Sequence, residues 1–302
     1  MWRARTLDDD QTMTAATAAS RPPTPPVRRA FFRRRSAIPG FGLTMGVTLT
    51  VLSLIVLIPL AAVVLKAAHQ SPAEFWAVAT SQRSLAAYRL SFGAAFVAAV
   101  VNGVFGVLTA WALVRYDFPG KTIVNALVDL PFALPTAVAG IALATLYAPT
   151  GWVGQFLTPL GIKAAYNPVG VTIALTFIGL PFVVRTIEPV LRDAAEDVEE
   201  AAASLGANRI DTILRVVLPA LAPAWLTGFA MAFARGVGEY GSVIFIAGNM
   251  PYKSEIAPLL IIIQLEQFEY ARAATIAVVM LAVSFTMLLV INAIQAWARR
   301  FD

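Results

Sequence analysis

The 302-residue chain is apolar for its length, with 58% hydrophobic and 14% charged residues and a mean hydropathy of +0.72. Soluble domains average about 25% charged and roughly 45–50% apolar residues, so this composition predicts an integral membrane protein. The chain has no cysteine, which excludes disulfides, iron–sulfur clusters and thiolate zinc sites.

The first 36 residues differ from the rest of the chain in composition. They contain a proline-rich patch and an arginine cluster, as expected of a disordered cytoplasmic tail near anionic headgroups. No apolar core precedes Phe41, which argues against a secretory signal, and the acidic run at residues 8–10 argues against an organellar transit peptide. We therefore expect a tail at 1–36, followed by a first transmembrane helix and an outer loop at 37–84.

Apolar stretches long enough to cross a bilayer, which takes about 20 residues, follow in order. They are 41–65, 90–114, 127–148 (with Asp129 at its start), 168–184 (ending at Arg185), a stretch from 216 to about 246, and 273–298. A shorter stripe at residues 256–263 is expected to lie in the membrane interface or to pack over the bundle. The predicted fold class is an all-α integral membrane protein with six transmembrane helices.

A polar island at about 192–219 interrupts these apolar stretches and predicts two short helices in water. Val198, Ala201, Ala202 and Leu205 fall at helical spacing on one face, while Asp193, Glu196, Asp197 and Glu200 share another. Gly206 suits a left-handed C-terminal cap, and Asn208 suits the N-cap of a second helix with Asp211 in its third position. Pro219 is expected to kink or re-aim that helix as it enters the next span.

The distribution of lysine and arginine predicts the orientation. With six spans, both termini and the island lie on one side together with fifteen basic residues, against six on the other side. The positive-inside rule then places the termini and the island in the cytoplasm. Topology thus accounts for the net charge of +5 without a nucleic-acid partner.

The island also carries the strongest motif in the chain. Glu200-Ala201-Ala202, Gly206, Val216 and Leu218-Pro219 resemble the E-A-A loop of type I ABC importer permeases, with Val216 where that family prefers isoleucine. The resemblance implies a permease domain at 85–297, a short cytoplasmic end at 298–302, and residues that couple the chain to an ATPase subunit. Those coupling residues would be Glu200, Ala201, Ala202, Gly206, Leu218 and Pro219. The plainer interpretation is an amphipathic loop whose charges only keep it soluble.

Within that family, the chain is most similar to the sulfate/thiosulfate permeases. The resemblance is carried by residues 130–140, 167–191 and 235–251, with the sister molybdate permeases sharing part of the pattern. It implies a multi-pass protein of the bacterial inner membrane that moves sulfate or thiosulfate. Its partners would be two ABC ATPase subunits, the paralogous permease subunit W, a periplasmic sulfate-binding protein and membrane lipid.

The resemblance also implies that ATP and Mg are bound by the partner ATPase, with no cofactor in this chain. The sequence agrees, since it has no Gly-rich phosphate loop ending in Gly-Lys-Ser or Gly-Lys-Thr. It has no Ser/His/Asp set or metal-spaced histidine pair either, and its lone histidine, His69, is expected to be a bystander. We therefore expect a chain that is not an enzyme by itself and has no catalytic or metal site.

An anion path requires cations or donors that replace part of the hydration shell of sulfate. Arg235 is the leading candidate, because a charge within a membrane span usually faces a cavity or a partner. Glu239 lies one helical turn further on and could pair with Arg235, in which case the two would form a structural ion pair that fixes the bundle or a gate. Asn249 could donate to an anion near the outer mouth, or could equally cap a helix end.

Two functions of other classes remain open from the sequence alone. One is a secondary transporter, which the E-A-A loop and the lack of a clear inverted repeat disfavour. The other is a membrane scaffold that does not transport. Within the importer interpretation, molybdate, tungstate or another oxyanion is the alternative substrate.

Overall fold

The computed structural model describes residues 41–193, 200–202 and 204–298, with the side chains of residues 296–298 left out. The predicted tail at 1–36 and part of the predicted first island helix, including Glu196, Asp197 and Val198, lie outside these residues. The chain divides into two compact units, one up to Ile55 and one from Val56 onward. All the regular structure in the described ranges is helical.

In the first unit, helix α1 (Phe41–Leu52) has no buried residue, and a π-helical turn at Ser53–Leu57 follows it. The second unit contains α2 (Ile58–Ala68), α3 (Pro72–Ala79), α4 (Gln82–Arg115), α5 (Lys121–Ala133), α6 (Thr136–Tyr147), α7 (Gly154–Leu157), a 3₁₀ turn (Thr158–Leu160), α8 (Pro168–Asp193), α9 (Arg209–Thr212), a π-helical turn (Ile213–Val217), α10 (Leu218–Val237), α11 (Val243–Ile246), α12 (Ala257–Glu266) and α13 (Tyr270–Ala298).

Five helical stretches in the described chain are long and apolar enough to cross a membrane, or six if the bent pair α5–α6 counts as one span. The five are Phe41–Ala68, Gln82–Arg115, Pro168–Asp193, Arg209–Val237 and Tyr270–Gln295. Each overlaps a predicted apolar stretch, so the all-helical membrane fold is confirmed.

The core of the second unit is formed by α4, α8 and α10, which pack against one another. α4 contributes mainly small buried side chains, among them Ala94, Ala95, Ala98 and Ala99. Small side chains let helix backbones approach closely, which is how membrane helices gain packing energy without a hydrophobic driving force.

The predicted third span consists of two helices, α5 and α6, that are bent by 117°. Leu134 between them is extended at φ −84° and ψ 135°, and Pro135 precedes the first residue of α6. A residue before proline is pushed away from the helical region, so Pro135 explains the break at this position. α5 also begins at Lys121, six residues before the predicted start at Leu127.

The fourth and fifth spans also end at other residues than predicted. α8 continues past Arg185 to Asp193, so that Arg185 lies inside the helix. α10 ends at Val237 instead of continuing to about Ile246, and α11 starts only at Val243. The reason for the earlier end is local, because the carboxylate of Glu239 binds the backbone N–H of Ser242 and holds a turn there.

The second island helix runs on into the fifth span as one stretch, Arg209–Val237. Its π-helical turn at Ile213–Val217 directly precedes Pro219. A π-helical turn and a proline are both places at which a helix can kink, and here the helix continues through both to Val237. The short helix α12 packs on α4 and α13 with Ile256, Leu259 and Leu260 buried, as one of the two alternatives predicted.

Candidate functional site

The described part of the island is a helical turn closed by a left-handed glycine. Gly206 has φ +88°, and the Ala207 N–H donates to the carbonyl of Ala202 over 3.0 Å. This six-to-one bond across a left-handed residue is the Schellman motif, so the predicted C-terminal cap is confirmed. Glu200 and Ala201 are exposed in the turn that Gly206 closes.

The second island helix starts as the sequence predicts. The side chain of Asn208 accepts a hydrogen bond of 2.9 Å from the backbone N–H of Asp211. Asn208 therefore satisfies one of the N–H groups that a helix start leaves without an intrahelical partner.

The island presents apolar side chains on its surface. Leu205 is 89% exposed, Ile210 69% and Leu214 57%, and Leu218 and Pro219 are exposed as well. Among the apolar side chains of the second island helix, Val217 is the one that is buried in the described part of the chain. An apolar patch rimmed by polar residues marks an interaction surface when it faces water.

Arg235 and Glu239 meet as an ion pair at the end of α10. The Glu239 side chain is buried, and one of its oxygens also accepts from the backbone N–H and the hydroxyl of Ser242, at 2.9 and 3.1 Å. The Arg235 side chain is 35% exposed, and the pair to Glu239 is its one hydrogen bond within the described chain. Since a guanidinium has five N–H donors, most of those of Arg235 are available to a ligand.

Asn249 lies close to this turn in a helix-capping arrangement. Its backbone is left-handed at φ +51°, and its side-chain N–H donates to the carbonyl of Ile244 over 2.8 Å. This geometry matches the capping alternative, because one N–H of the amide donates to a helix carbonyl.

The turn after α10 is held by direct backbone contact with α6. A Cβ atom on Gly140 would lie 2.3 Å from the carbonyl oxygen of Ser242, and one on Gly241 would lie 2.1 Å from the hydroxyl of Thr136. Glycine is required at position 140, where the neighbouring atoms are backbone atoms, and the close contact fixes the turn that carries Glu239.

A second charged group joins α5 to α8, and the sequence did not predict it. We call it the Arg185 cluster. It consists of Asn125, Asp129, Arg185, Glu188 and Arg192. Asp129 accepts two bonds from Arg185, at 2.6 and 2.8 Å, and Glu188 bridges Arg185 and Arg192 at 2.5 and 2.7 Å. The sequence feature that could have indicated this cluster is a carboxylate and an arginine in two otherwise apolar stretches.

The chain matches a protein-family model and is similar in sequence to named relatives. A family model described as a binding-protein-dependent transport system inner membrane component matches residues 102–301. The chain is 51% identical over 255 residues to the sulfate transport system permease protein CysT of Synechocystis sp., covering 84% of this chain and 89% of the relative. It is 47% identical over 262 residues to the CysT protein of Escherichia coli K12, covering 87% of this chain and 95% of the relative.

Solved structures are similar in fold at low sequence identity. A chain of a bacterial ABC transporter that imports the acidic polysaccharide alginate superposes with a TM-score of 0.70 at 15% identity, covering 85% of this chain and 96% of that chain. A chain of the inward-facing MetNI methionine ABC transporter superposes with a TM-score of 0.56, covering 76% and 99%. The family match extends over about two thirds of the chain, and the chain belongs to the family of binding-protein-dependent transport system inner membrane components.

Proposed function

We propose that this chain is the permease subunit of an ABC importer that moves sulfate or thiosulfate across the bacterial inner membrane. The observation that carries the proposal is the identity of 47–51% to proteins named as sulfate permeases, over 84–87% of the chain. The chain performs no catalysis by itself. ATP and Mg are bound and used by a separate ATPase subunit, present in two copies.

The other partners follow from the same assignment. A paralogous permease, subunit W, completes the membrane part of the importer, and a periplasmic sulfate-binding protein delivers the anion. The domain organisation is the predicted one, with a permease domain at 85–297, both termini in the cytoplasm and the island at 192–219 on the same side.

The island is the surface on which the ATPase docks. In water the exposed side chains of Leu205, Ile210 and Leu214 would be costly, and a partner that covers them removes that cost. Glu200, Ala201 and Ala202 form the helical turn that Gly206 closes, and Leu218-Pro219 connects the surface to α10. The function of these residues is to hold one shape that the ATPase recognises.

Arg235 is the residue of this chain that meets the anion on its path. Its side chain is partly exposed and has unused N–H donors, while Glu239 orients it from a buried position. Sulfate needs such donors because it loses part of its hydration shell on entering the membrane. The positioning and anion-binding roles are compatible, since the bond to Glu239 is made by one nitrogen of the guanidinium, Nη1.

The test is sulfate uptake in a strain that lacks this chain, complemented with the wild type and with Arg235→Lys, Arg235→Gln and Arg235→Gln/Glu239→Gln. We expect sulfate uptake from the wild type, partial uptake from Arg235→Lys and none from Arg235→Gln, with the ATPase still bound. If the pair is structural only, Arg235→Gln leaves Glu239 as a buried carboxylate without its cation and lowers assembly, and the double change should then restore assembly and uptake.

The outcomes separate the proposals. Uptake of molybdate in place of sulfate would overturn the substrate assignment. Full sulfate uptake by Arg235→Gln would exclude Arg235 from the path. Recovery of uptake to the wild-type rate in the double variant would make the pair structural only.

A further inference from the structure

The Arg185 cluster connects two helices that the sequence separates by a long interval. Asp129 on α5 and Arg185 on α8 are 56 residues apart, and they form a two-pronged contact in which Nε and Nη2 each bind one carboxylate oxygen. Arg185 also donates to the side chain and to the backbone carbonyl of Asn125, at 2.9 and 3.1 Å. A two-pronged contact of this kind fixes the relative orientation of the two side chains as well as the distance between them.

The guanidinium of Arg185 has no N–H group left for a ligand. Its five bonds go to Asp129 (two), Asn125 (two) and Glu188 (one), which equals its number of donors. Arg235 differs, because it makes one such bond to the residues that the structure describes. Arg185 therefore connects two helices and does not bind an anion.

The Arg185 cluster lies where α8 leads toward the island. Glu188, with its side chain 7% exposed, binds both Arg185 and Arg192. Arg192 is in the last turn of α8, which ends at Asp193. The island begins at about residue 192, so the last turn of α8, which carries Arg192 of the cluster, is also the start of the island.

The other side of the Arg185 cluster leads to the turn that holds Glu239. α5 is followed after two residues by α6, and α6 contacts that turn through Gly140 against Ser242 and Thr136 against Gly241. Close backbone contact leaves little room for α6 to move without the turn. Contacts thus continue from the Arg185 cluster through the bent span of α5 and α6 to the turn after α10, and from Glu239 in that turn to Arg235.

We propose that the contact between Arg185 and Asp129 is a positioning contact that makes α5 move together with α8. Movement of the docked island then reaches the turn with Glu239 and Arg235 through the bent span. This inference rests on the proposed function, since it concerns how ATP hydrolysis on the partner is linked to the anion path. Arg185 and Asp129 act through Arg235 and do not touch the anion.

The test uses the complete importer in proteoliposomes, with Asp129→Asn and Arg185→Lys as variants. Asn keeps the size of Asp129 and removes its charge, and Lys keeps the charge of Arg185 and removes the fork. We expect both to retain the bound ATPase and ATP hydrolysis, and to move about tenfold less sulfate per ATP hydrolysed. Asp117→Asn is the matched control, because it removes an ion pair of 2.8 Å to Lys121 at the start of the same helix from a side chain that is 98% exposed. It should leave the ratio unchanged.

A covalent link between positions 129 and 185 tests whether coupling depends on α5 and α8 moving together. The native chain has no cysteine, so Asp129→Cys/Arg185→Cys can be joined specifically by a short bifunctional maleimide. We expect the unlinked double variant to be uncoupled and the linked one to regain most of the sulfate moved per ATP. If the contact only stabilised the fold, the linker would not change the amount of sulfate moved per ATP.

The outcomes distinguish this inference from the proposed function. If the wild-type chain binds no ATPase or moves no sulfate, the proposed function fails. If the wild type does both, normal coupling in Asp129→Asn and Arg185→Lys overturns the inference, as does a linked variant that stays uncoupled. If one variant fails to assemble, the other variant and the linked double cysteine still decide the matter.

Discussion

Gly206 is the residue whose conformation most directly shapes the docking surface. A Cβ atom there would meet nothing within 4 Å, so a substitution is opposed by the backbone at φ +88° and not by packing. A β-branched residue in this region costs roughly 1–2 kcal/mol, about five- to thirtyfold in the population of the native turn. We expect Gly206→Val to reduce ATPase association and sulfate uptake while membrane insertion persists.

Gly206→Asn is the control for this change, because asparagine tolerates the left-handed region. It should retain most of the ATPase association that Gly206→Val loses, as measured by co-purification at equal expression. Normal uptake in Gly206→Val, or equal losses in both variants, would contradict a conformational role for this glycine.

At this scale the sequence predicts local contacts well and distant ones poorly. The caps at Gly206 and Asn208 depend on neighbours within a few residues, and both were predicted. The pairing of Arg185 with Asp129 depends on how α5 lies against α8, which residue spacing does not contain. The same limit applies to the surroundings of Arg235. The sequence proposed Glu239, one helical turn away, as the partner of Arg235, but it did not predict the bond from Glu239 to Ser242 that holds Glu239 in its buried position.

The bent span of α5 and α6 is the element on which the candidate site depends. Gly140 of α6 touches the Ser242 backbone so closely that an added Cβ would lie 2.3 Å from the carbonyl oxygen. Overpacking of this kind costs about 1–3 kcal/mol. We expect Gly140→Ala to lower the melting temperature of the purified importer and to reduce sulfate uptake, because the turn that carries Glu239 must shift.

Gly93→Ala is the matched control for Gly140→Ala. Gly93 also lies inside a helix of a candidate span, α4, but nothing is within 4 Å of an added Cβ. Alanine is favoured over glycine in a helix by about 1 kcal/mol, so this change should be neutral or slightly stabilising. A melting temperature that is equally low in both variants would argue against a specific contact at Gly140.

The elements themselves were predicted with unequal success for a physical reason. Apolar length determines which stretches can cross a membrane, and all five uninterrupted spans follow it. Breaks inside apolar stretches leave the hydropathy unchanged, so the sequence-based spans ran through Leu134-Pro135 and through residues 238–242. Pro135 marks the first place, because a proline disfavours the helical conformation of the residue before it, while the Glu239 bond to Ser242 that forms the second turn is a side-chain contact without such a mark.

For the whole molecule, the docking proposal depends on the side of the membrane that the island faces. The bias of basic residues predicts that the island lies in the cytoplasm, provided that α5 and α6 together cross the membrane once. If they formed a re-entrant turn instead, every later loop would change sides. The orientation and the bent span must therefore be tested together.

Single cysteines at His69, Lys163 and Arg209 provide that test. All three side chains are exposed, and the native chain has no cysteine. The neighbouring residues Gln70 and Asn208 are less suitable for labelling, because each makes a hydrogen bond that a substitution would remove. We expect a membrane-impermeant maleimide to label His69→Cys and Lys163→Cys in intact spheroplasts, and Arg209→Cys only after the membrane is opened. A re-entrant turn would give the opposite result at Lys163 and Arg209, with label at Arg209→Cys from outside. That result would place the island away from ATP and would remove the basis for ATPase docking on it.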